Sequence, residues 1–172
     1  MPAGPGGRAV ARLFVVPRLF VVPSLVVGVL AAACGGPGPV RLTGVPVPAP
    51  SQRASCAALV QALPGSLGGG LDRRRLDPPQ SSAAAFGAGP VVVTCGAAGV
   101  PAGYRPDATL SEIDGVGWFP EKVGDGMRFS TPTRSPHVVL TMPAAALART
   151  QPFDVLVSVV AAVRAHSRPT TA

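Results

Sequence analysis

Hydrophobic side chains repeat at helical spacing in two segments of the chain. The first repeat falls at positions i, i+3, i+4 and i+7, which is one face of an α-helix, and a Pro-Gly pair ends it. Its members are Cys56, Leu59, Val60 and Leu63. The second repeat has similar spacing and predicts a closing helix over about residues 152–165. Its members are Phe153, Leu156, Val157, Val160 and either Val163 or Arg164.

Between these helices, short runs rich in β-branched residues are bounded by Gly, Pro and Asp, which is typical of strands. Four strands are predicted, at residues 91–95, 116–119, 127–131 and 137–142. The links between the last three are short, which favours antiparallel pairing. The order of elements predicts an α+β fold, with a small antiparallel sheet of about four strands, flanked on one face by an N-terminal and a C-terminal helix.

Residues 1–33 have the pattern of an export signal and are left out of the predicted fold. An apolar stretch covers residues 19–30, and small residues 31–33 precede Cys34. The stretch is short for a bilayer span of about 20 residues. Small residues directly before a cysteine are typical of a bacterial lipoprotein signal, in which the Cys34 thiolate receives the diacylglycerol. The alternatives are an uncleaved signal anchor and a signal that is simply removed.

Composition divides the rest of the chain into three parts. Residues 34–54 are rich in Pro and Gly and have no periodic apolar face, so we expect the lipid-bearing cysteine and a semi-extended tether there. The folded domain is predicted over residues 55–166, followed by a disordered tail at 167–172. We therefore expect the protein at the extracytoplasmic face of the cell membrane, lipid-anchored, with a single N-terminal membrane anchor or secretion as the alternative.

The charge balance argues against nucleic acid as a partner. The chain has 15 Lys and Arg residues against 8 Asp and Glu residues, a formal net charge of +7. Three of the basic residues, Arg8, Arg12 and Arg18, lie in the export signal. The remaining excess is small and spread out, whereas a nucleic-acid-binding domain needs a clustered basic face.

Two cysteines remain once Cys34 is assigned to the lipid, an even number in a chain that we expect to be exported. Cys56 lies on the apolar face of the first predicted helix and Cys95 ends the first predicted strand, so both point towards the core. We predict a disulfide between them, with two buried free thiols as the alternative. A metal site lacks ligands, because there is no Cys-x-x-Cys pair and His137 and His166 are the only histidines. No cofactor is expected.

The chain lacks the residue patterns of familiar catalytic sites. It has no G-x-S-x-G motif of a serine hydrolase. The acidic pairs that could serve a glycosidase lie in predicted turns, where acids usually cap or meet solvent. They are Glu112 with Asp114 and Glu121 with Asp125. We predict a non-enzymatic binding or assembly module of the cell envelope. The alternative is an envelope enzyme that acts on a wall precursor through an unfamiliar site.

Two groups of residues are candidates for contact with a partner. Arg73, Arg74 and Arg75 could meet anionic lipid headgroups or acidic wall polymers, at about 1 kcal/mol per charge near a charged membrane. Trp118 and Phe119 alternate across a predicted strand, so one ring faces the core and the other could contact a partner. The expected partners are the membrane and an unidentified envelope protein or wall polymer.

Several of these segments resemble the actinobacterial family DUF3515, whose members are exported or lipid-anchored envelope proteins of unknown function. The resemblance runs from about Cys56 to Ala165. It is carried by CAALVQALP at 56–64, PVVVTCG at 90–96, the segment around Trp118, the region 131–140 with Arg134, and the closing helix. The resemblance implies an envelope location and a disulfide-bonded domain, and it implies no activity.

Overall fold

The computed structural model describes residues 38–170. The predicted export signal at residues 1–33, the lipidation of Cys34 and the first residues of the predicted tether lie outside this range. Within residues 38–170, no helix is both long enough and apolar enough to cross a bilayer.

Three α-helices and nine strands form the described part of the chain. The helices are α1 (Arg53–Ala62), α2 (Ala144–Leu147) and α3 (Pro152–His166), and a 3-10 turn at Pro50–Gln52 leads into α1. The strands are β1 (Arg73–Arg74), β2 (Ala83–Phe86), β3 (Val91–Cys95), β4 (Ser111–Ile113), β5 (Val116–Val123), β6 (Gly126–Ser130), β7 (Arg134–Ser135), β8 (Val138–Met142) and β9 (Arg168–Pro169).

Seven strands form one antiparallel sheet in the order β1-β2-β3-β8-β6-β5-β4. The four predicted strands are β3, β8, β6 and β5, which are neighbours in it, so the α+β class and the antiparallel pairing are confirmed. The predicted number of about four strands is wrong, because β1, β2 and β4 extend the sheet at both edges. Strand β2 is mostly alanine, which has low strand propensity, and β1 and β4 are too short to show a pattern.

Strand β5 continues through Pro120, where the sequence predicts its end. Strand β4 pairs with β5 only as far as Trp118, so from Phe119 onward β5 is the edge of the sheet. A proline is tolerated at an edge, because its missing N–H need not cost a hydrogen bond between strands.

Helices α1 and α3 pack against one face of the sheet, which we call the inner face. The predicted apolar face of α1 is confirmed, since all four of its residues are buried. Helix α3 is rotated relative to the prediction: Val155 and Val159 are fully buried, whereas Phe153 is 61% exposed and Val157 is 45% exposed. This helix is so rich in Val, Leu and Ala that it has two possible apolar faces, and packing on the sheet selects one.

A disulfide joins Cys56 of α1 to Cys95 at the end of β3, as predicted, with the Cα atoms 5.4 Å apart. Both residues are fully buried. Because β3 lies near the middle of the sheet, the bond fixes α1 covalently across the centre of the inner face.

Residues 38–49, which we call the N-terminal arm, lie against the sheet and not in a free tether. The Val40 N–H donates to Arg75 O at 2.8 Å, and Val40 O accepts from the Asp77 N–H at 3.0 Å. Further along, Pro48 is buried against Gly96, where an added Cβ would lie only 2.7 Å from the proline ring. These contacts show that the folded body begins before residue 55. Prolines rarely pair within a strand, but an extended proline-rich segment can still pack against a surface.

The chain after α3 also differs from the predicted tail. Strand β9 pairs with β7, and the Thr170 N–H donates to Thr133 O at 2.8 Å. Ser167 is buried between them and α3. Residues 167–170 are thus part of the folded body. Backbone pairing holds them there, and they carry no apolar pattern that would have predicted it.

We expect the double replacement Cys56→Ala and Cys95→Ala to lower the free energy of unfolding by about 4 kcal/mol. A bridge with a sequence separation of 39 restricts the unfolded chain by roughly that much in the loop-entropy account. Urea unfolding of the exported protein measures the loss, and reduction of the parent protein should reproduce it. A loss below about 1 kcal/mol would contradict the expected role.

Candidate binding groove on the outer face of the sheet

The face of the sheet opposite the helices, which we call the outer face, carries side chains of alternate residues on four central strands. Phe129 of β6 belongs to the core, so its neighbours Arg128 and Ser130 point outward. In the next strands, Ser130 pairs with Val139, and Val139 pairs with Thr94. These outward side chains therefore lie side by side and form a continuous floor.

Two segments cover parts of this floor. The N-terminal arm lies over the β2–β3 side, where Ser82 Oγ donates to Pro46 O at 3.1 Å. Residues 97–110, which we call the outer loop, lie over the β5–β6 side. Tyr104 of this loop packs edge-on against Phe119, with the ring centroids 5.5 Å apart. His137 Nδ1 lies 2.6 Å from Gly99 O, a carbonyl that can only accept, so Nδ1 carries the proton.

Two adjacent cavities lie beneath these covers, and together we call them the outer-face groove. The loop cavity, about 260 Å³, is bordered by residues 97–102 and by strands β6 and β8, and is open to solvent. The arm cavity, about 350 Å³, is bordered by residues 41–46 and by strands β3 and β8, and is likewise open. Val139 lines the loop cavity and Thr141 lines the arm cavity. Because these residues are two apart on β8, the cavities share one surface.

The loop cavity is lined by the polar residues Arg128, Ser130, Thr131 and His137. Ser130 is 2% exposed, and its Oγ has no hydrogen-bond partner among residues 38–170. Arg128 Nε donates to Glu121 Oε2 at 3.1 Å, with the Glu121 side chain only 17% exposed. The Arg128 side chain is 40% exposed, and its two terminal nitrogens have no protein partner in the described part of the chain. Arg128 and Ser130 thus border the same cavity, although the Ser130 hydroxyl oxygen itself is buried.

The predicted contact residues Arg73, Arg74 and Arg75 do not present three free charges. They border a depression of about 220 Å³. Arg73 points to the inner face, where its guanidinium donates to Val60 O at 2.6 Å and to Leu63 O at 3.0 Å. These carbonyls lie at the C-terminal end of α1, where they lack partners within the helix. Arg73 therefore caps α1.

Arg74 points to the outer face and is likewise occupied. Its guanidinium donates to Gly87 O at 2.8 Å and to Gly38 O, which ties the N-terminal arm to β1. Arg75 is exposed. Because successive residues of a strand point to opposite faces, the triplet is divided between structural contacts on two sides of the sheet.

Trp118 is fully buried in the core, so it is the ring of the predicted pair that faces the core. Because side chains alternate along a strand, Trp118 lies on the inner face and Phe119 on the outer face. The sequence pattern predicts that one of the two rings faces outward, and that ring is Phe119. Phe119 is partly buried and is packed against Tyr104. The predicted contact residues therefore do not come together in one surface.

Arg134 is a structural residue, although it stands in a segment that resembles the family. It is 5% exposed, and its guanidinium donates to Ser167 Oγ at 2.8 Å and to Ser167 O at 2.7 Å. Burial, followed by the nearby charge of Arg164, lowers the pKa of Arg134 from its ordinary value. This side chain holds β7 against the C-terminal end of α3, where a positive charge is favourable.

Sequence reasoning missed the residues that line the groove. The available signal was the alternation Arg128–Phe129–Ser130, in which an inward aromatic places two polar side chains on the opposite face. The closeness of these residues to residues 97–102 has no signal in the sequence, because it depends on how the outer loop folds back over the sheet.

The fold and groove define a disulfide-bonded α+β domain with helices on one face of its sheet and a covered groove on the other. The sequence profile of DUF3515, a protein family of unknown function, matches residues 14–169. The chain belongs to this family, and the resemblance seen in the sequence is confirmed. No curated protein and no solved structure matches the chain.

We expect Arg73→Gln to lower the free energy of unfolding by about 2 kcal/mol, because it removes two hydrogen bonds from a charged donor to the end of α1. The matched control Arg75→Gln changes an exposed neighbour and should stay within about 0.5 kcal/mol of the parent. Urea unfolding of both variants measures the difference. Equal losses would contradict the capping role of Arg73.

Proposed function

We propose that the protein is a lipid-anchored envelope protein that binds a ligand through the outer-face groove and does not transform it. The observation that carries this proposal is the loop cavity, a concavity of about 260 Å³ in which Arg128 and His137 lie beside an apolar wall. A covered concavity with a few converging polar groups is the usual form of a binding site.

The disulfide supports an extracytoplasmic location. Such bonds persist in oxidising compartments and are rare in the reducing cytosol. The small residues before Cys34 supply the signal expected for acylation, and two or more acyl chains would give a firm membrane anchor. Since the N-terminal arm is part of the folded body from Gly38 onward, Cys34 stands only four residues before it.

The groups in the groove favour binding over catalysis. A catalytic serine needs a base within hydrogen-bond reach, and Ser130 Oγ has no partner among the described residues. Glu121 is paired with Arg128, and His137 uses Nδ1 on Gly99 O. These arrangements fix the walls of the cavity and leave no nucleophile activated by a base.

We expect Cys34→Ser to abolish incorporation of labelled fatty acid and to release the protein from the membrane fraction. The substitution removes the thiolate that would form the thioether with diacylglycerol. Metabolic labelling and fractionation measure both effects, with Cys56→Ala/Cys95→Ala as the control that retains the label. Unchanged labelling and migration would show that Cys34 is not the anchor.

We expect Val139→Trp to abolish recovery of the crosslinked partner or ligand from native membranes, because the indole would fill the loop cavity from its floor. Val157→Trp is the matched control, since Val157 is exposed on α3 at the opposite side of the sheet. Both variants should keep the disulfide and the anchor. Full recovery with a folded Val139→Trp protein would contradict binding in the groove.

A further inference from the structure

Few residues separate Cys34 from the fixed start of the N-terminal arm. We propose that the edge of the sheet at β1 lies against the anionic phospholipid headgroups of the membrane that holds the lipid anchor. This edge, which we call the membrane edge, consists of residues 38–41 and 72–77. The inference rests on the proposed function, because it assumes that Cys34 is acylated, and it adds the surface of the protein that faces the bilayer.

Hydrogen bonds fix the start of the arm to the membrane edge. The Arg74 guanidinium donates to Gly38 O. The Val40 N–H donates to Arg75 O at 2.8 Å, and Val40 O accepts from the Asp77 N–H at 3.0 Å. The position of Gly38 beside β1 is therefore set by contacts within the folded body.

The chain between Cys34 and Gly38 is too short to hold the membrane edge far from the bilayer. Gly38 is four residues after Cys34, and four residues span at most about 14 Å when fully extended. An acylated cysteine lies where the acyl chains meet the headgroups, and each headgroup layer is about 5–8 Å thick. The edge at Gly38 can therefore stand no more than roughly 10 Å above the headgroups, which is close to the Debye length at physiological salt.

The membrane edge carries an excess of positive charge. Four positive charges stand against two negative ones, those of Arg41, Arg73, Arg74 and Arg75 against those of Asp72 and Asp77. The carbonyl groups that accept from Arg73 and Arg74 are uncharged, so these hydrogen bonds leave both guanidinium charges in place. Each net positive charge this close to an anionic surface strengthens attachment about fivefold. The edge therefore favours a membrane that contains acidic lipids over a neutral one.

A second basic region lies at the other end of α1. Arg73 caps the C-terminal end of this helix, whereas His166 and Arg168 border an open, polar depression at its N-terminal end. The ten residues of α1 span about 15 Å. Because both ends are basic, charge alone does not distinguish them, and the short chain from Cys34 to Gly38 decides which end meets the membrane.

The test compares two label positions in the full-length acylated protein, reconstituted in vesicles of phosphatidylglycerol and phosphatidylethanolamine that carry a nitroxide quencher on the headgroup. Ser81→Cys follows Gln80, which borders a depression shared with Arg75, and Ser51→Cys is the matched control beyond the far end of α1. Both serines are exposed. The introduced cysteine is the only free thiol, since the lipid and the disulfide occupy the other three. We expect a fluorescent label at residue 81 to be quenched at least about threefold more strongly than one at residue 51.

Two changes separate the contribution of the short link from that of charge. A Gly-Ser insertion of about 20 residues before Gly38 lengthens the connection to roughly 25 Å and should lower the ratio of quenching at residues 81 and 51 at least twofold. Arg41→Gln/Arg75→Gln, which removes the net charge of the edge, should lower the ratio to that measured in neutral phosphatidylcholine vesicles. The matched control Arg53→Gln/Arg168→Gln removes two charges at the far end of α1 and should not lower it.

Equal quenching at the two positions, or stronger quenching at residue 51, would overturn the inference, and so would an equal ratio in anionic and neutral vesicles. An unchanged ratio after the insertion would also overturn it, since the link would then not orient the folded body. Metabolic labelling separates these failures from that of the anchor. If Cys34 carries a fatty acid, the proposed anchor stands and only the orientation fails; if Cys34 carries none, both fail.

Discussion

The disulfide between Cys56 and Cys95 lies where the core, the N-terminal arm and the outer loop meet. On the inner face it holds α1 against the central strands. The next residue, Gly96, has a φ of +87° and receives the Pro48 ring, while its N–H donates to His137 O. The outer loop starts at this point. The cavity beneath that loop therefore begins at a strand end that is joined covalently to α1.

Arginine has a consistent structural use in this chain. Arg73 donates to the last carbonyls of α1, and Arg134 donates to Ser167 O at the end of α3. The C-terminal carbonyls of a helix lack partners and carry partial negative charge, so a guanidinium satisfies both requirements. The chain has 15 basic and 8 acidic residues, so carboxylates are too few to pair with every basic side chain. Arg73 and Arg134 donate to backbone carbonyls instead. Only Arg41 with Asp77 and Arg128 with Glu121 form salt bridges among the described residues.

The two faces of the sheet differ in burial and polarity. The inner face carries the fully buried residues of β3, β5 and β8 and packs on both long helices, so the hydrophobic contribution comes from that side. The outer face carries Thr94, Thr141, Arg128 and Ser130 and is covered by extended segments that leave space between them. Because the core lies on the inner face, the polar side chains of the outer face are available for the ligand binding that we propose.

Periodicity alone determined the elements with strong local patterns: α1 with its buried face, the four central strands, and a disulfide between residues that both point inward. These follow from the sequence because burial repeats every 3.6 or every two residues.

Strand β2, the ordered arm and the β7–β9 pair were decided only in the tertiary structure, since alanine- and proline-rich segments have no pattern until a neighbouring strand or surface is present. The same holds for the site. Arg73 and Trp118 look available in the sequence, but packing uses one as a helix cap and buries the other. The loop cavity is lined by Arg128, Ser130 and residues 97–102, which are about 30 residues apart in the chain. They meet only because the strands pair and the outer loop folds back over the sheet.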